Sequence, residues 1–206
     1  MTDPAADATR AVHRVDEDLR EEDLIDRDLD GSTFERCDLR GVRLAEITTR
    51  GTRFVSCDLS GADLTASVHD GSAFTNCRFD RTRLSTARFT GCKLTGSDLS
   101  GAVLLGTEID GGDWSYVNLR GADLRRRTLA GVRMQHADLT DADLSDVDLS
   151  GTDLTGAVLR HTTLRGADLT DAHLDGVALA EAHLEGAVFD LTGAVLLARS
   201  LGVEIR

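Results

Sequence analysis

The sequence predicts an all-β solenoid, a chain wound into square coils of 20 residues, and three observations predict it. In steps of five from Leu19 to Phe189, 33 of 35 stops are apolar and 30 are Leu or Phe, Thr49 and His69 being the exceptions. Cys37, Cys57 and Cys77 recur 20 apart, as do Phe34, Phe54 and Phe74, and all nine positions at that spacing from Leu24 to Leu184 are Leu. Of the 20 glycines, 17 lie two residues after a stop. A period of five suits neither a helix, which would spiral the leucines around every side, nor a flat strand, which would alternate them between two faces. A backbone that turns a corner every five residues brings them all to one core. Four corners close a coil, and the independent 20-residue recurrence supports that closure.

Each repeat has a Leu or Phe centre and a small residue two before it, as in Ala62, Ala122, Ala142 and Ala167, read as a second inward position. Glycine two after the centre suits a tight corner. The residues flanking the centre are mostly Asp, Arg, Ser or Thr and are expected to face solvent.

In chain order, residues 1–15 read as a polar tail, 16–190 as the coil and 191–206 as a C-terminal helix and dimerisation segment. Glu17, Glu22 and Arg27 fall at inward positions of the first coil, which suggests a polar cap and a regular core beginning nearer Leu29. Thr49 and His69, one coil apart, read as a hydrogen-bonded core defect or as a bend or ligand contact. Gly112 leaves room beside Trp114, a large centre. Arg127 is an inward cation, too costly to bury unpaired, so a local distortion should let it reach solvent. After Phe189 the repeat stops: residues 192–201 read as a helix ended by Gly202, and Val203-Glu204-Ile205 as a pairing strand. Leu191, Ala194, Val195, Leu197, Leu201 and Val203 cap the last coil or form a dimer interface.

Enzyme chemistry is not expected. The four cysteines all take inward positions, and His136, His161, His173 and His183 fall on outward positions of different corners or coils. No metal, cofactor, phosphate loop or nucleophile elbow is indicated. The net charge of −13 argues against direct nucleic-acid binding. No apolar run reaches membrane length and the N-terminus lacks a signal-peptide core, so a cytoplasmic protein is expected.

Charge is unevenly spread: net −7 over residues 1–30, +3 over 31–133 and −10 over 134–190. One outward row alternates as Asp23, Arg43, Asp63, Arg83, then carries Asp123 and Asp143 with no base beside them; Asp148 and Asp168 stack on another row. Such rows repel without an evident structural return. They read either as a solubilising surface or as one for a basic partner. At about 4.8 Å between coils, the last segment spans roughly 14 Å and carries about 0.7 charges per Å, against roughly 0.6 for duplex DNA.

Residues 61–65, 121–125, 136–140, 141–145, 151–155 and 166–170 carry an A(D/N)LXX signature that resembles pentapeptide-repeat proteins over about 175 residues. The resemblance implies a right-handed quadrilateral β-helix with a short C-terminal helix, of nearly nine coils and roughly 40 Å. Residues 67–84 look like the loop-less mycobacterial type of fluoroquinolone-resistance pentapeptide proteins, and Leu196–Ile205 resembles the dimerisation segment of quinolone-resistance members. It therefore implies a homodimeric DNA mimic that binds DNA gyrase, a type II topoisomerase, inhibiting it or protecting it from fluoroquinolones or other poisons. The phosphate-like charges would be Asp123, Asp138, Asp141, Asp143, Asp146, Asp148, Asp153, Asp168, Asp171 and Asp175. The register is unbroken, so the drug-protection loops of plasmid-borne members have no counterpart. Self-immunity to a gyrase-targeting natural product and an interaction scaffold with an unrelated partner are the alternatives.

Overall fold

The inward five-residue register winds the backbone into a four-sided, right-handed coil whose successive turns pair in parallel, 20 residues apart. The computed structural model describes residues 11–20, 22–24 and 27–205. Taking the faces in chain order, the first is centred on Leu19, Leu39 and their successors, the second on Leu24 and Leu44, the third on Leu29 and Thr49, and the fourth on Phe34 and Phe54. Side chains at the centres and two residues before them fill one continuous core along the coil axis.

Among the described residues, eight three-residue strands form two parallel sheets. On the fourth face β1 (His13–Val15), β2 (Thr33–Glu35), β4 (Arg53–Val55) and β6 (Ala73–Thr75) stack in that order. On the third, β3 (Thr48–Arg50), β5 (Val68–Asp70), β7 (Arg88–Thr90) and β8 (Glu108–Asp110) do the same. None of these strands is centred on Leu; six centres are Phe, Thr or Ile, which favour extended backbone, and the other two are Arg14 and His69. The Leu-centred repeats make single bridges instead, such as Asp138↔Val158 and Asp148↔Asp168. Most of their corners close with a centre C=O accepting the N–H three residues on, as from Ala142 to Leu139 at 3.0 Å.

Corner residues take the left-handed conformation. On the corner between third and fourth faces Gly31, Gly51, Gly71, Gly91, Gly111, Gly131 and Gly151 all have positive φ. Elsewhere Ser56, Ala66, Asn76 and Asp146 adopt it without glycine's freedom. Gly112 has a stricter requirement than room for Trp114: a Cβ there would overlap the Cys92 carbonyl.

Most inward polar groups are satisfied locally, Trp114 Nε1 and Arg127 Nε being buried without a partner. Phe34, Phe54 and Phe74 stack at 5.0 and 4.8 Å with rings 7° from parallel. The Cys57 and Cys77 thiols lie 3.3 Å from the Phe34 and Phe54 carbonyls of the preceding coil. All four cysteines are free and buried, and burial pushes the Cys92 thiol up to about 11. Thr49 and His69 form the hydrogen-bonded defect. Thr49 Oγ1 is 2.7 Å from His69 Nδ1, and Ser67 Oγ is 2.9 Å from Nε2. Because the Ser67 hydroxyl donates to the Leu64 carbonyl at 2.7 Å, its oxygen accepts from Nε2–H, leaving Nδ1 to accept from Thr49. Desolvation holds the imidazole pKa down near 3, so the ring is neutral.

The N-terminal end corrects two expectations. Leu19 and Leu24 are already buried, so the core begins there and not near Leu29. The cap is an ion triad: Arg14, at a centre position below Phe34, bonds Glu17 at 2.6 Å and Glu22 at 2.7 Å, while Arg27 is exposed. β1 also lies within the segment expected as a tail; residues 1–10 fall outside the described residues.

At the other end α1 (Leu191–Ser200) starts one residue earlier than predicted because Asp190 caps it, accepting from Gly193 N–H at 2.8 Å. Gly202, with φ +79°, ends it: its N–H bonds Arg199 O, and Val203 N–H bonds Ala198 O. Residues 203–205 form no strand, correcting that expectation; Val203 and Ile205 are exposed. No helix among the described residues is long and apolar enough to cross a membrane.

Candidate functional site

The ten acidic candidates do not share one face. Asp138 stands on the first face, Asp123 and Asp143 on the second, Asp148 and Asp168 on the third, and Asp153 and Asp175 on the fourth. Asp141, Asp146 and Asp171 occupy three different corners, each with positive φ. Together they belt the C-terminal coils. The second and third faces with the corner between them bring Asp123, Asp143, Asp146, Asp148 and Asp168 into one continuous strip.

The structure corrects the view that these carboxylates bring no structural return. In Asp123, Asp138, Asp143, Asp148, Asp153 and Asp168, one carboxylate oxygen accepts the backbone N–H two residues on, at 2.9 to 3.2 Å. Ser145 and Ser150 add hydroxyl donors at 2.5 and 2.7 Å. A short acceptor one residue before the centre ties down the start of the corner, as Asp does in turns generally. The Thr170 hydroxyl and amide hold the Asp168 carboxyl below the usual range. For Asp138, partial burial pushes the pKa up, but Thr140 and Arg120 outweigh it and the net shift is downward.

The rows are also less bare than their own columns imply. Arg125 binds Asp123 at 2.6 Å and lies 3.6 Å from Asp143, which corrects the expectation of no neighbouring base. Its guanidinium draws the Asp123 carboxyl down to about 2. Arg120 lies 3.4 Å from Asp138 and 3.8 Å from Asp141, and Arg126 3.9 Å from Asp146. A column reading misses Arg120 and Arg125 because they reach diagonally to the next coil, whereas Arg126 stands in the column of Asp146 itself. Beyond them, Asp148, Asp168, Asp171 and Asp175 have no cation within 4.0 Å among the described residues. The acidic belt is therefore braced on its N-terminal side and unrelieved beyond.

Of the predicted interface residues, Leu191, Leu201 and Val203 are exposed, at 82%, 63% and 52%. Ala194 is exposed and Val195 half-buried. Leu197 packs with Leu196 against the end of the core, so that side of α1 caps the last coil. The segment thus covers the coil with one side and presents apolar side chains with the other.

Arg127 distorts the coil as its inward position predicts, and the distortion is larger than one side chain. On the second and third faces, no backbone hydrogen bonds join the coil of Leu104 and Ile109 to that of Leu124 and Leu129. The guanidinium enters this opening and donates to the Thr107 and Leu104 carbonyls. Its Nε is buried without a partner. Around it is an open cleft of about 1200 Å³ whose lips include Val103, Leu105, Asp123 and Arg126. The sequence signal was present, since Arg127 is the one charged inward residue after the first coil. Its consequence for the ladder was not.

No three His, Cys, Asp or Glu side chains converge on a metal-sized point among the described residues. The arrangement offers surfaces rather than a reaction centre.

No curated protein matches the chain in sequence. Its fold matches those of two trypsin-treated variants of QnrB1, a plasmid-mediated fluoroquinolone resistance protein. Their TM-scores are 0.82 and 0.78, at 24% and 23% identity, each alignment covering 95% of this chain and 98% of the other. Full-length QnrB1 matches at a TM-score of 0.56 and 23% identity, over 94% of this chain and 98% of its own. At these identities the likeness is one of fold. Residues 27–104 match the family described as pentapeptide repeat region, and residues 83–126, 118–156 and 152–190 match pentapeptide repeats in eight copies. The chain belongs to the pentapeptide-repeat family.

Proposed function

We propose that the acidic C-terminal coils stand in for a DNA duplex on DNA gyrase, a type II topoisomerase. In this reading the chain acts as a cytoplasmic homodimer joined through residues 191–206. Docking inhibits the enzyme, protects it from fluoroquinolones or other gyrase poisons, or both. It is a binding protein and not a catalyst.

The observation that carries the reading is the unrelieved charge on stacked neighbours. Asp148 and Asp168 are bridged partners on adjacent coils with no cation between them, and Asp171 and Asp175 follow. Each Asp148-type carboxylate commits one oxygen to its own turn, which fixes its position as a phosphate is fixed in a duplex. Allowing for Arg120, Arg125 and Arg126, the belt still carries about 0.5 charges per Å, close to the duplex value. Exposed Leu191, Leu201 and Val203 support the dimer, which would place two belts together at the centre of a longer rod.

The test uses gyrase supercoiling and drug-stabilised cleavage, with the purified chain titrated at about 0.05 M and about 0.5 M salt. Strong effects at low salt that fade at high salt are expected. A variant carrying Asp148→Asn, Asp168→Asn, Asp171→Asn and Asp175→Asn keeps amide oxygens for the turns and removes the charge. It should lose most of the effect while retaining the wild-type circular dichroism. If this variant acts on gyrase as well as the parent chain does, charge mimicry is wrong.

A further inference from the structure

A second interaction surface lies at the seam between the coils of Leu104 and Leu124, apart from the unrelieved acids used above. Regular faces of this coil are joined by rungs such as Leu44 N–H to Asp63 O at 2.7 Å and Asp63 N–H to Val42 O at 2.9 Å. The corresponding rungs from Leu104, Gly106, Ile109, Gly111, Asp123 and Thr128 are absent. The other two faces stay closed at the same level, with Asn118 N–H to Ser97 O at 2.9 Å and Trp114 N–H to Arg133 O at 2.7 Å. The opening is thus a gap on two faces with paired coils on either side. Among the described residues, the same rungs are absent at the N-terminal end between Leu24 and Leu44, where Arg27 occupies the column of Arg127.

Arg127 accounts for the gap. Its column carries Ile47, Ser67, Ala87, Thr107, Val147 and Ala167 in the other coils, all able to lie inside, while Arg27 at the N-terminal end is exposed. A guanidinium does not fit there, and half-burial pushes its pKa down through desolvation. It takes the Thr107 carbonyl that Thr128 N–H would otherwise bond, and so acts as a wedge. The amides of Leu104, Gly106, Ile109, Asp123 and Thr128 are left facing the cleft without a protein acceptor, and so are the carbonyls of Ala102, Arg125 and Thr128 without a donor.

Two facing rows of donors and acceptors at main-chain spacing match one kind of ligand, another extended backbone. A small anion would satisfy the amides and leave the carbonyls bare. The lips add a side-chain preference. Val103 and Leu105 are exposed at 46% and 74%, and the Arg126 side chain is 83% exposed with its nearest acid 3.9 Å away. We propose that this seam takes an extended polypeptide strand of alternating apolar and acidic residues, which pairs with both lips in place of the missing rungs.

The test is hydrogen exchange on the full chain with a blocked eight-residue peptide of alternating valine and glutamate. The peptide should slow exchange at the amides of Leu104, Gly106, Ile109 and Asp123 about tenfold or more. The same peptide N-methylated at alternate residues should not, because it cannot pair along both edges. In Arg127→Val the seam should close: those amides become protected without peptide, and peptide affinity falls about tenfold or more. Equal protection by both peptides, no protection by either, or slow exchange in the free wild-type chain would overturn the proposal. So would undiminished binding to a folded Arg127→Val chain. Should that variant misfold, the two peptides compared on the wild-type chain still decide.

Discussion

The coils up to Ile109 and those from Trp114 onward share one repeat but are held together differently. In the first region all eight strands occur, with a Phe stack along one face and opposite charges across coils, as at Asp63–Arg83 and Arg88–Glu108. In the second there is no strand among the described residues. The backbone turns on hydrogen-bonded corners, and Asp follows Asp along the rows. The boundary falls at the Arg127 seam. An apolar register alone suffices to wind the coil, so the outward positions are free to carry cross-coil pairs as far as Arg126–Asp146 and Arg125–Asp143 and unrelieved charge at Asp148 and Asp168 beyond.

The largest expected effect comes from breaking the aromatic column. Phe54→Ala removes the middle ring of the stack and should destabilise the chain by about 3–5 kcal/mol in chemical denaturation. Hydrogen exchange should rise in the coils of Phe34 and Phe74 and hardly change beyond Leu144, since each coil touches only its neighbours. A uniform rise would mean that the two regions unfold as one unit.

Acid should also separate the regions, because only the first contains a buried imidazole. His69 stays neutral down to about pH 3 in the fold, against an ordinary value of 6.5. As pH falls below 6.5 the unfolded chain binds a proton that the folded chain does not. Stability is therefore full above 6.5 and should fall by about 1.4 kcal/mol per pH unit down to pH 3 from this group. His69→Leu should flatten that slope. Thr49 and Ser67 keep partners in Ser72 and the Leu64 carbonyl, so the variant should still fold. An unchanged slope in that variant would exclude His69 as its source.

The smallest effect sharpens the electrostatic contrast. Added salt should raise the melting temperature of Asp148→Asn plus Asp168→Asn less than that of the parent chain, because a like-charge contact has been removed. Arg83→Ala should do the opposite, since Asp63 loses its partner. Differences within about 2 °C are expected in thermal melts.

The solenoid was legible because burial imposes the period directly: a residue every five positions must be apolar, and its 20-residue copies must match. The polar network at Thr49 and His69 and the wedge at Arg127 showed as breaks in that period. The roles of the acids were harder to read. Asp148 looks like pure surface charge in the sequence, yet one of its oxygens holds the Ser150 amide at 3.0 Å. The start of the core is not legible in the sequence because Glu17 and Glu22 suggest a polar end, whereas Arg14 neutralises them above a buried Leu19.

By itself, then, the sequence determined the winding, the inward columns, the terminal helix and the asymmetry of charge. These depend on which residue types recur at which interval, and recurrence is a property of the string. Only the tertiary structure decided which charges meet and which rungs form. Arg125 reaches Asp143, and Arg127 opens two faces at once, because a long side chain acts across coils at distances that no single column records.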